Sequence, residues 1–318
     1  MRLLNKLANN KKEVLALYAV FVGLVVINGI LDKNLFMPDR LMVLAMHAVP
    51  LVLISMGQTI ILITGGIDLS VGNVTALMGC IASVVMNQGS LGIFGGLVVI
   101  LAASVLVGAA NGLLITYGKI PAIIVTLAMS FVWHGVALFI RPMPGGLIDP
   151  RFMAWTGGGA STFAGLYFIL IPLIIWKYLK TTRFGVSLYA LGDNTSAAFV
   201  NGVPVNRIRV LAYACAGICI GLAGVGLVGI TGTGDATIGG AYTMNSIAAS
   251  ILGGAAFTGG EGQMRGTLVG ALLIITLMNI LFFSGMSPFY QYIFQGLILI
   301  AAISFKVLGE QRRRAVVI

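Results

Sequence analysis

The sequence predicts an all-α polytopic membrane protein of about ten transmembrane helices, with its N- and C-termini in the cytoplasm. The first observation is composition: mean hydropathy is +1.03, 58% of the 318 residues are hydrophobic and only 9% are charged. A water-soluble domain needs more polar surface than this. The second observation is that the apolar residues form ten blocks separated by charged clusters, and the third is that most basic residues fall on alternate connections. Residues 1–318 are therefore expected to form a single transmembrane domain.

Each apolar block is interpreted as one crossing, because a helix needs about 20 apolar residues to span the hydrocarbon core. The predicted spans are, in chain order, 14–31, 42–64, 71–87, 91–116, 121–140, 162–179, 208–231, 244–257, 266–284 and 289–307. The first has no convincing small-residue cleavage site, so it is expected to be retained rather than removed as a signal peptide. Blocks 71–87 and 244–257 are short or rich in small residues and are expected to cross as bent or discontinuous helices. Without either of them, a basic cluster would lie on the outer side.

The basic residues are distributed as the positive-inside rule requires. Fifteen of the nineteen Lys and Arg residues fall on the inner side: Arg2, Lys6, Lys11, Lys12, Lys119, Lys177, Lys180, Arg183, Arg207, Arg209, Arg265, Lys306, Arg312, Arg313 and Arg314. The outer side keeps Lys33, Arg40, Arg141 and Arg151. Membrane insertion alone therefore explains the net charge of +10, and no nucleic-acid partner is expected.

Two stretches of the chain resemble each other at a constant offset. ITGGIDLSVG from Ile63 resembles ITGTGDATIG from Ile230, 230 − 63 = 167 positions later, and the same offset relates segments 63–121 and 230–288. An odd number of crossings separates the copies, so a true repeat would be inverted in the membrane. Chance is the alternative, because Gly, Ala and Leu dominate both stretches.

Polar residues in or near the weak blocks are candidates for a translocation path. Gly-interrupted segments in matching halves often mark the substrate path of a transporter. The candidate path residues in these blocks are Asn73, Thr75, Asn245 and Ser246, and Trp133 and His134 in the span 121–140 are added to them. The alternative for each is a small polar group that bonds to local backbone or to a neighbouring helix.

The chain lacks the residues that would let it drive transport alone. Within the spans, His134 is the one ionisable group well away from a span end, whereas ion-coupled carriers usually bury several carboxylates or His. There is no GxxxxGK[ST] loop for ATP, no cofactor motif and no catalytic cluster. Cys80, Cys215 and Cys219 lie in apolar blocks as packing residues, with no disulfide or metal site expected. A non-enzymatic subunit powered by a partner is therefore predicted.

One long inner connection, residues 177–209, could receive that energy. Asp193 or Asn194 can cap a short helix over 195–200, and Asn201-Gly202 supplies a left-handed stop. Ala197, Ala198 and Phe199 on this helix could seat in a groove of a partner. The alternative is an interfacial helix that contacts only membrane lipid.

Four motifs resemble the permease subunits of bacterial ATP-binding-cassette sugar importers of the ribose, galactose and xylose group. They are GGIDLSVG (65–72), NGLLITYGKIPAIIVTL (111–127), TRFGVSLYALGDNTSAAFVNGV (182–203) and GGEGQMRGTLVGALL (259–273). The third resembles the element that docks on the ATPase. The resemblance implies a coupling role for Arg183, Gly185, Gly192, Asn194, Ala197, Ala198 and Gly202.

The resemblance also implies the partners. These are an ATPase subunit that uses the ATP, a periplasmic sugar-binding protein that could contact the outer loop 141–161, and a second permease copy or a related permease. The cargo would be a monosaccharide such as a ribose-like pentose, carried across the bacterial inner membrane. Thr243 and Asn245 replace acidic residues common in related permeases, which leaves the sugar open. An ion-coupled carrier and a passive channel are the alternatives.

Overall fold

The computed structural model describes residues 2–86, 92–156 and 163–287, together with isolated residues between 289 and 304. The fold there is helical, with a single isolated β-bridge between Gly145 and Gly234. The helices are α1 (Arg2–Leu31), α2 (Pro38–Ile63), α3 (Val71–Val85), α4 (Gly92–Gly118), α5 (Ala122–Ile140), α6 (Pro150–Thr156), α7 (Tyr167–Leu179, preceded by a 3-10 turn Phe163–Leu166), α8 (Arg183–Asp193), α9 (Thr195–Val200), α10 (Val205–Thr231), α11 (Gly240–Leu252) and α12 (Met264–Phe283).

Five of the described helices, α2, α4, α5, α10 and α12, are long and apolar enough to cross a membrane. Shorter apolar helices are 17–31 of α1, α3 and α7. Each predicted span up to residue 284 overlaps a helix, which confirms an all-α polytopic protein. The last predicted span, 289–307, lies largely outside the described residues. The total of ten crossings and the side on which each terminus lies therefore stay predictions.

The centre of the bundle is the pair α2 and α10. The apolar window of α2 is 94% buried, whereas that of α5 is 22% buried, so α2 is central and α5 lies at the periphery. Glycines bring the central helices close: a Cβ at Gly108 of α4 would collide with the Tyr213 carbonyl of α10, and one at Gly217 would collide with the Ser104 carbonyl. Small residues at helix contacts are how membrane helices approach closely.

Helix α11 corrects the predicted span 244–257. It begins four residues earlier, at Gly240, and ends at Leu252, because the backbone turns at Gly253 and Gly254. Gly254 has φ +96°, which favours glycine, and Gly253 packs against the backbone of Gly266 with no room for a side chain. The apolar residues after Gly254 therefore belong to a non-helical connection and not to the crossing. At 13 residues, α11 is shorter than the helices that can span.

Helix α8 is absent from the sequence prediction, which gave the inner connection only one short helix. The Thr182 hydroxyl caps α8 by accepting a hydrogen bond from the Gly185 amide at 3.4 Å. Phe184, Leu188 and Leu191 recur at helical spacing, and the last two are fully buried. That spacing was the signal that could have predicted the helix.

The buried side chain of Gln58 predicts a stabilising substitution. Gln58 in α2 is 0% exposed, and within the described residues neither its Oε1 nor its Nε2 has a hydrogen-bond partner. A buried polar group without a partner costs about 1–3 kcal/mol, so Gln58→Leu should raise the midpoint of thermal unfolding in detergent. Thr59→Val is the matched control, since the neighbouring Thr59 hydroxyl is bonded to that of Thr267 at 2.7 Å and its loss should lower the midpoint. A lower midpoint for Gln58→Leu would contradict the prediction.

Candidate functional site: an exposed helix and a polar path

The short helix α9 forms as its local sequence predicts. Of the two cap candidates, Asn194 is the one used: its Oδ1 accepts a hydrogen bond from the Ala197 amide at 2.9 Å. At the other end the Asn201 side chain donates to the Ala197 carbonyl at 2.8 Å, and Gly202 follows with φ +80°. Both ends of α9 are thus fixed by residues within one turn of it.

The outward face of α9 is apolar. Phe199 is 71% exposed and Val200 is 83% exposed, and Ala197 is exposed beside them. We call Ala197, Phe199 and Val200 the α9 patch. Ala198 does not belong to this face, because it is 4% exposed and its methyl group packs inward. The prediction that Ala198 seats in a groove of a partner is therefore wrong. Arg183, at the start of α8, is exposed near the same end of the bundle.

Glycines fasten α8 to the body of the bundle. A Cβ at Gly185 would collide with the Leu179 carbonyl, and one at Gly192 would collide with the Ile63 carbonyl at the end of α2. The same Ile63 carbonyl accepts a hydrogen bond from the Gly260 amide at 2.9 Å. Gly185 and Gly192 are therefore close-contact positions, whereas Gly202 is a turn position. No larger residue fits at Gly192 without moving α8 away from α2.

A side-chain hydrogen bond joins α8 to the connection between α11 and α12. The Tyr189 hydroxyl donates to the Gly262 carbonyl at 2.8 Å. Burial raises the pKa of the Tyr189 phenol, so it remains a neutral donor. The end of α2, α8 and the 253–263 connection thus meet at one end of the bundle, which we call the α9 end.

The candidate path residues divide between two parts of the fold. On α3 and α5, Asn73 donates to the Ser130 hydroxyl at 2.8 Å and Trp133 donates to Asn111 at 3.2 Å, so both side chains join helices. Thr75 bonds to the Val71 carbonyl within its own helix. These contacts are the ones expected of residues that hold helices together.

The remaining candidates lie on α5 and α11. His134 Nδ1 is buried and has no hydrogen-bond partner in the part of the chain that the structure describes. Ser246 is 0% exposed and donates to the Thr243 carbonyl at 2.8 Å. Asn245 differs from the others because it lines a cavity.

That cavity lies between α2, α11 and α12 and has a volume of about 590 Å³. Thr237, Tyr242 and Asn245 supply its polar groups, and aliphatic and Met side chains supply much of the rest. Its residues are Leu51, Thr237, Ile238, Gly240, Ala241, Tyr242, Asn245, Ile274, Ile275 and Met278. Among these described residues none carries a charge. The cavity has the volume of a small-molecule site, but it is about half open, so in the single chain it is a groove and not an enclosed site.

A buried polar cluster next to α3 was not predicted. Asp68 is 3% exposed, and its Oδ1 accepts hydrogen bonds from the Ser70 amide at 2.7 Å and the Ser70 hydroxyl at 2.6 Å. Asn111 of α4 donates to the same Ser70 hydroxyl at 2.9 Å. Asp235 makes the same turn with Thr237, at 2.8 Å to the amide and 2.7 Å to the hydroxyl. The recurrence of Asp-x-Ser/Thr in both similar segments was the available signal.

The chain is similar to import permeases over nearly its whole length. Residues 40–303 match the family described as the permease component of branched-chain amino acid transport systems. Identity is 35% to the ribose import permease protein RbsC of Bacillus subtilis (89% of this chain, 90% of the relative) and 32% to RbsC of Escherichia coli K12 (92% of each). It is 32% to the autoinducer 2 import system permease protein LsrC of Escherichia coli O9:H4 (94% and 88%). No solved structure matches the chain.

Proposed function

Because this chain belongs to the family of permease components of branched-chain amino acid transport systems, we propose that it carries a ribose-like pentose or a related sugar in an ATP-driven importer. It is a multi-span permease of the bacterial inner membrane. The observation that carries the proposal is similarity at 32–35% identity, over about nine-tenths of the chain, to relatives named as ribose import permeases. The ATP is used by a separate ATPase subunit, and a soluble binding protein delivers the sugar.

The ATPase docks on the α9 end, which faces the cytoplasm. The α9 patch exposes two large apolar side chains on a short, doubly capped helix, and such anchors contribute most where a partner pocket covers them. Arg183 adds an exposed cation. Gly185 and Gly192 hold α8 against Leu179 and the end of α2, so movement of α9 is transmitted to the helices.

The two similar segments form an inverted repeat. Residues 68 and 235, 167 positions apart, make the same Asp-x-Ser/Thr turn. Gly72 and Gly239 are also 167 positions apart, and each lies against the carbonyl of the other. A reciprocal contact between equivalent positions supports a pseudo-two-fold axis between them. The sugar crosses along the interface of two permease copies, or of one copy and a related permease, as the two halves move.

Reconstitution tests the function. The permease, its ATPase and its sugar-binding protein are placed in vesicles, and uptake of radiolabelled ribose is followed. We expect accumulation that needs ATP and all three proteins, and none from the permease alone. Accumulation against a gradient without the ATPase would identify an ion-coupled carrier instead. Downhill equilibration by the permease alone would identify a channel.

A further inference from the structure

The cavity between α2, α11 and α12 points to the class of cargo. We propose that it is a subsite of the translocation path for an uncharged sugar with one apolar face, held by Asn245, Tyr242 and Thr237. The inference rests on the proposed transport function and adds to it which solutes the permease itself accepts. Its volume of about 590 Å³ lies within the range of about 300–1,000 Å³ typical of small-ligand sites.

The polar groups of the cavity suit hydroxyl groups. The Asn245 amide offers a donor and an acceptor, and among the described residues neither it nor the Tyr242 hydroxyl makes a hydrogen bond. The Thr237 hydroxyl donates to Asp235 at 2.7 Å, which leaves its lone pairs free to accept from a ligand. A sugar hydroxyl both donates and accepts, so it can bond to each of these groups.

The remaining lining suits a hydrocarbon face. Leu51 comes from α2, and Ile274, Ile275 and Met278 come from α12. The C–H side of a sugar ring, or a methyl or deoxy position, can lie against these side chains at no cost in hydrogen bonds, because C–H groups make no strong hydrogen bonds to water. The cavity therefore has a polar side, formed by α11 and the turn before it, and an apolar side, formed by α2 and α12.

The lack of a cationic side chain in the described lining excludes anionic solutes. A sugar phosphate, or the carboxylate of an amino acid, would lose hydration at this place without gaining an opposite charge, and burial of an unpaired charge is strongly unfavourable. The family description names branched-chain amino acids, but the carboxylate of an amino acid finds no partner in the lining, and the acidic group beside it, Asp235, is already bonded to Thr237. A neutral sugar is the class that the cavity favours.

The cavity lies at mid-depth in the bundle. Leu51 is near the middle of α2 and Ile274 is near the middle of α12. The turn that carries Thr237 follows Gly234, which pairs with Gly145 by two backbone hydrogen bonds of 3.0 and 2.9 Å, and the Gly145 segment follows α5 at the end of the bundle opposite the α9 end. In the proposed orientation the subsite therefore meets the sugar partway across the membrane, inward of the outer end.

Substitutions in the reconstituted importer test the subsite. Asn245→Leu replaces the amide with an apolar side chain of the same branching and number of heavy atoms and should lower the rate of ribose uptake about tenfold, the usual effect of losing one or two hydrogen bonds. Asn245→Gln should retain most of it. Met244→Leu is the control, because Met244 is adjacent, 48% exposed and outside the cavity. ATPase activity stimulated by the binding protein shows that each variant assembles.

A second measurement detects binding of a solute at the subsite and does not depend on transport. In Thr237→Cys, the rate of labelling by a small neutral thiol reagent is measured in a chain that also carries Cys215→Ser, because Cys215 is partly exposed whereas Cys80 and Cys219 are buried. The chain with Cys215→Ser alone gives the background. Millimolar ribose should slow labelling, whereas ribose 5-phosphate and leucine should not. Equal protection by all three, or by none, would overturn the inference, as would wild-type uptake by Asn245→Leu. Failure of wild-type ATP-driven uptake would instead overturn the proposed function.

Discussion

Replacing Phe199 with Asp should abolish ATP-driven uptake while leaving the permease folded. Phe199 is 71% exposed on α9, so its removal costs the bundle little packing. In the proposed complex with the ATPase the same ring is an anchor of the α9 patch, and truncating such an anchor costs about 2 kcal/mol or more of binding energy, with a buried unpaired carboxylate adding to that. The expected loss of uptake is at least about thirtyfold. Uptake into vesicles and co-purification of the ATPase measure it.

The matched control adds the same charge one turn earlier on the same helix. Ser196 is exposed in the first turn of α9, where a carboxylate is favourable because of the helix dipole. Ser196→Asp should therefore keep uptake near that of wild type. Ala198→Asp should lower the midpoint of thermal unfolding, which the other two variants should not, because Ala198 is buried. If Phe199→Asp takes up as much ribose as wild type, the α9 patch has no role in coupling. If Ser196→Asp loses as much uptake as Phe199→Asp, the loss is caused by the added charge and not by the missing ring.

Local sequence determined the parts of the fold that could be predicted. The ends of α9 depend on Asn194, Asn201 and Gly202, which all lie within one turn of it, and so the sequence was sufficient. The apolar blocks likewise predicted where helices occur. The end of α11 was missed because the apolar run continues past Gly254, while the turn there depends on glycine φ and on close packing of Gly253 with Gly266.

The role of each polar side chain depends on partners that are distant in sequence. Asn73 and Ser130 are 57 positions apart, and Ser250 donates to the Ser55 carbonyl from 195 positions away. Apolar periodicity predicts which side of a helix packs but not which hydroxyl meets which amide. The sequence therefore predicted six path candidates on equal terms, whereas the structure leaves Asn245 as the one that lines the cavity.

Substituting Gly72 should have a large effect on folding. A Cβ at Gly72 would collide with the Gly239 carbonyl and with the Thr243 hydroxyl, and the Gly72 amide donates to that hydroxyl at 3.1 Å. Neither backbone can move aside cheaply, because α3 and α11 both begin at this contact. We expect Gly72→Val to cost about 3 kcal/mol, at the upper end for overpacking, and to lower the yield of monodisperse protein and its unfolding midpoint.

The equivalent glycine makes this experiment a test of the repeat. Gly239→Val should lower the midpoint as much as Gly72→Val, because each Cβ meets the carbonyl of the other residue. Gly240→Ala is the control: it is the adjacent glycine, nothing lies within 4 Å of its Cβ, and it should be neutral or slightly stabilising. The double variant should cost less than the sum of the two single variants, since both clashes separate the same two backbone segments. If the losses of stability are additive, the two glycines act at independent sites. If Gly239→Val leaves the unfolding midpoint unchanged, the contact is not reciprocal and does not support a pseudo-two-fold axis.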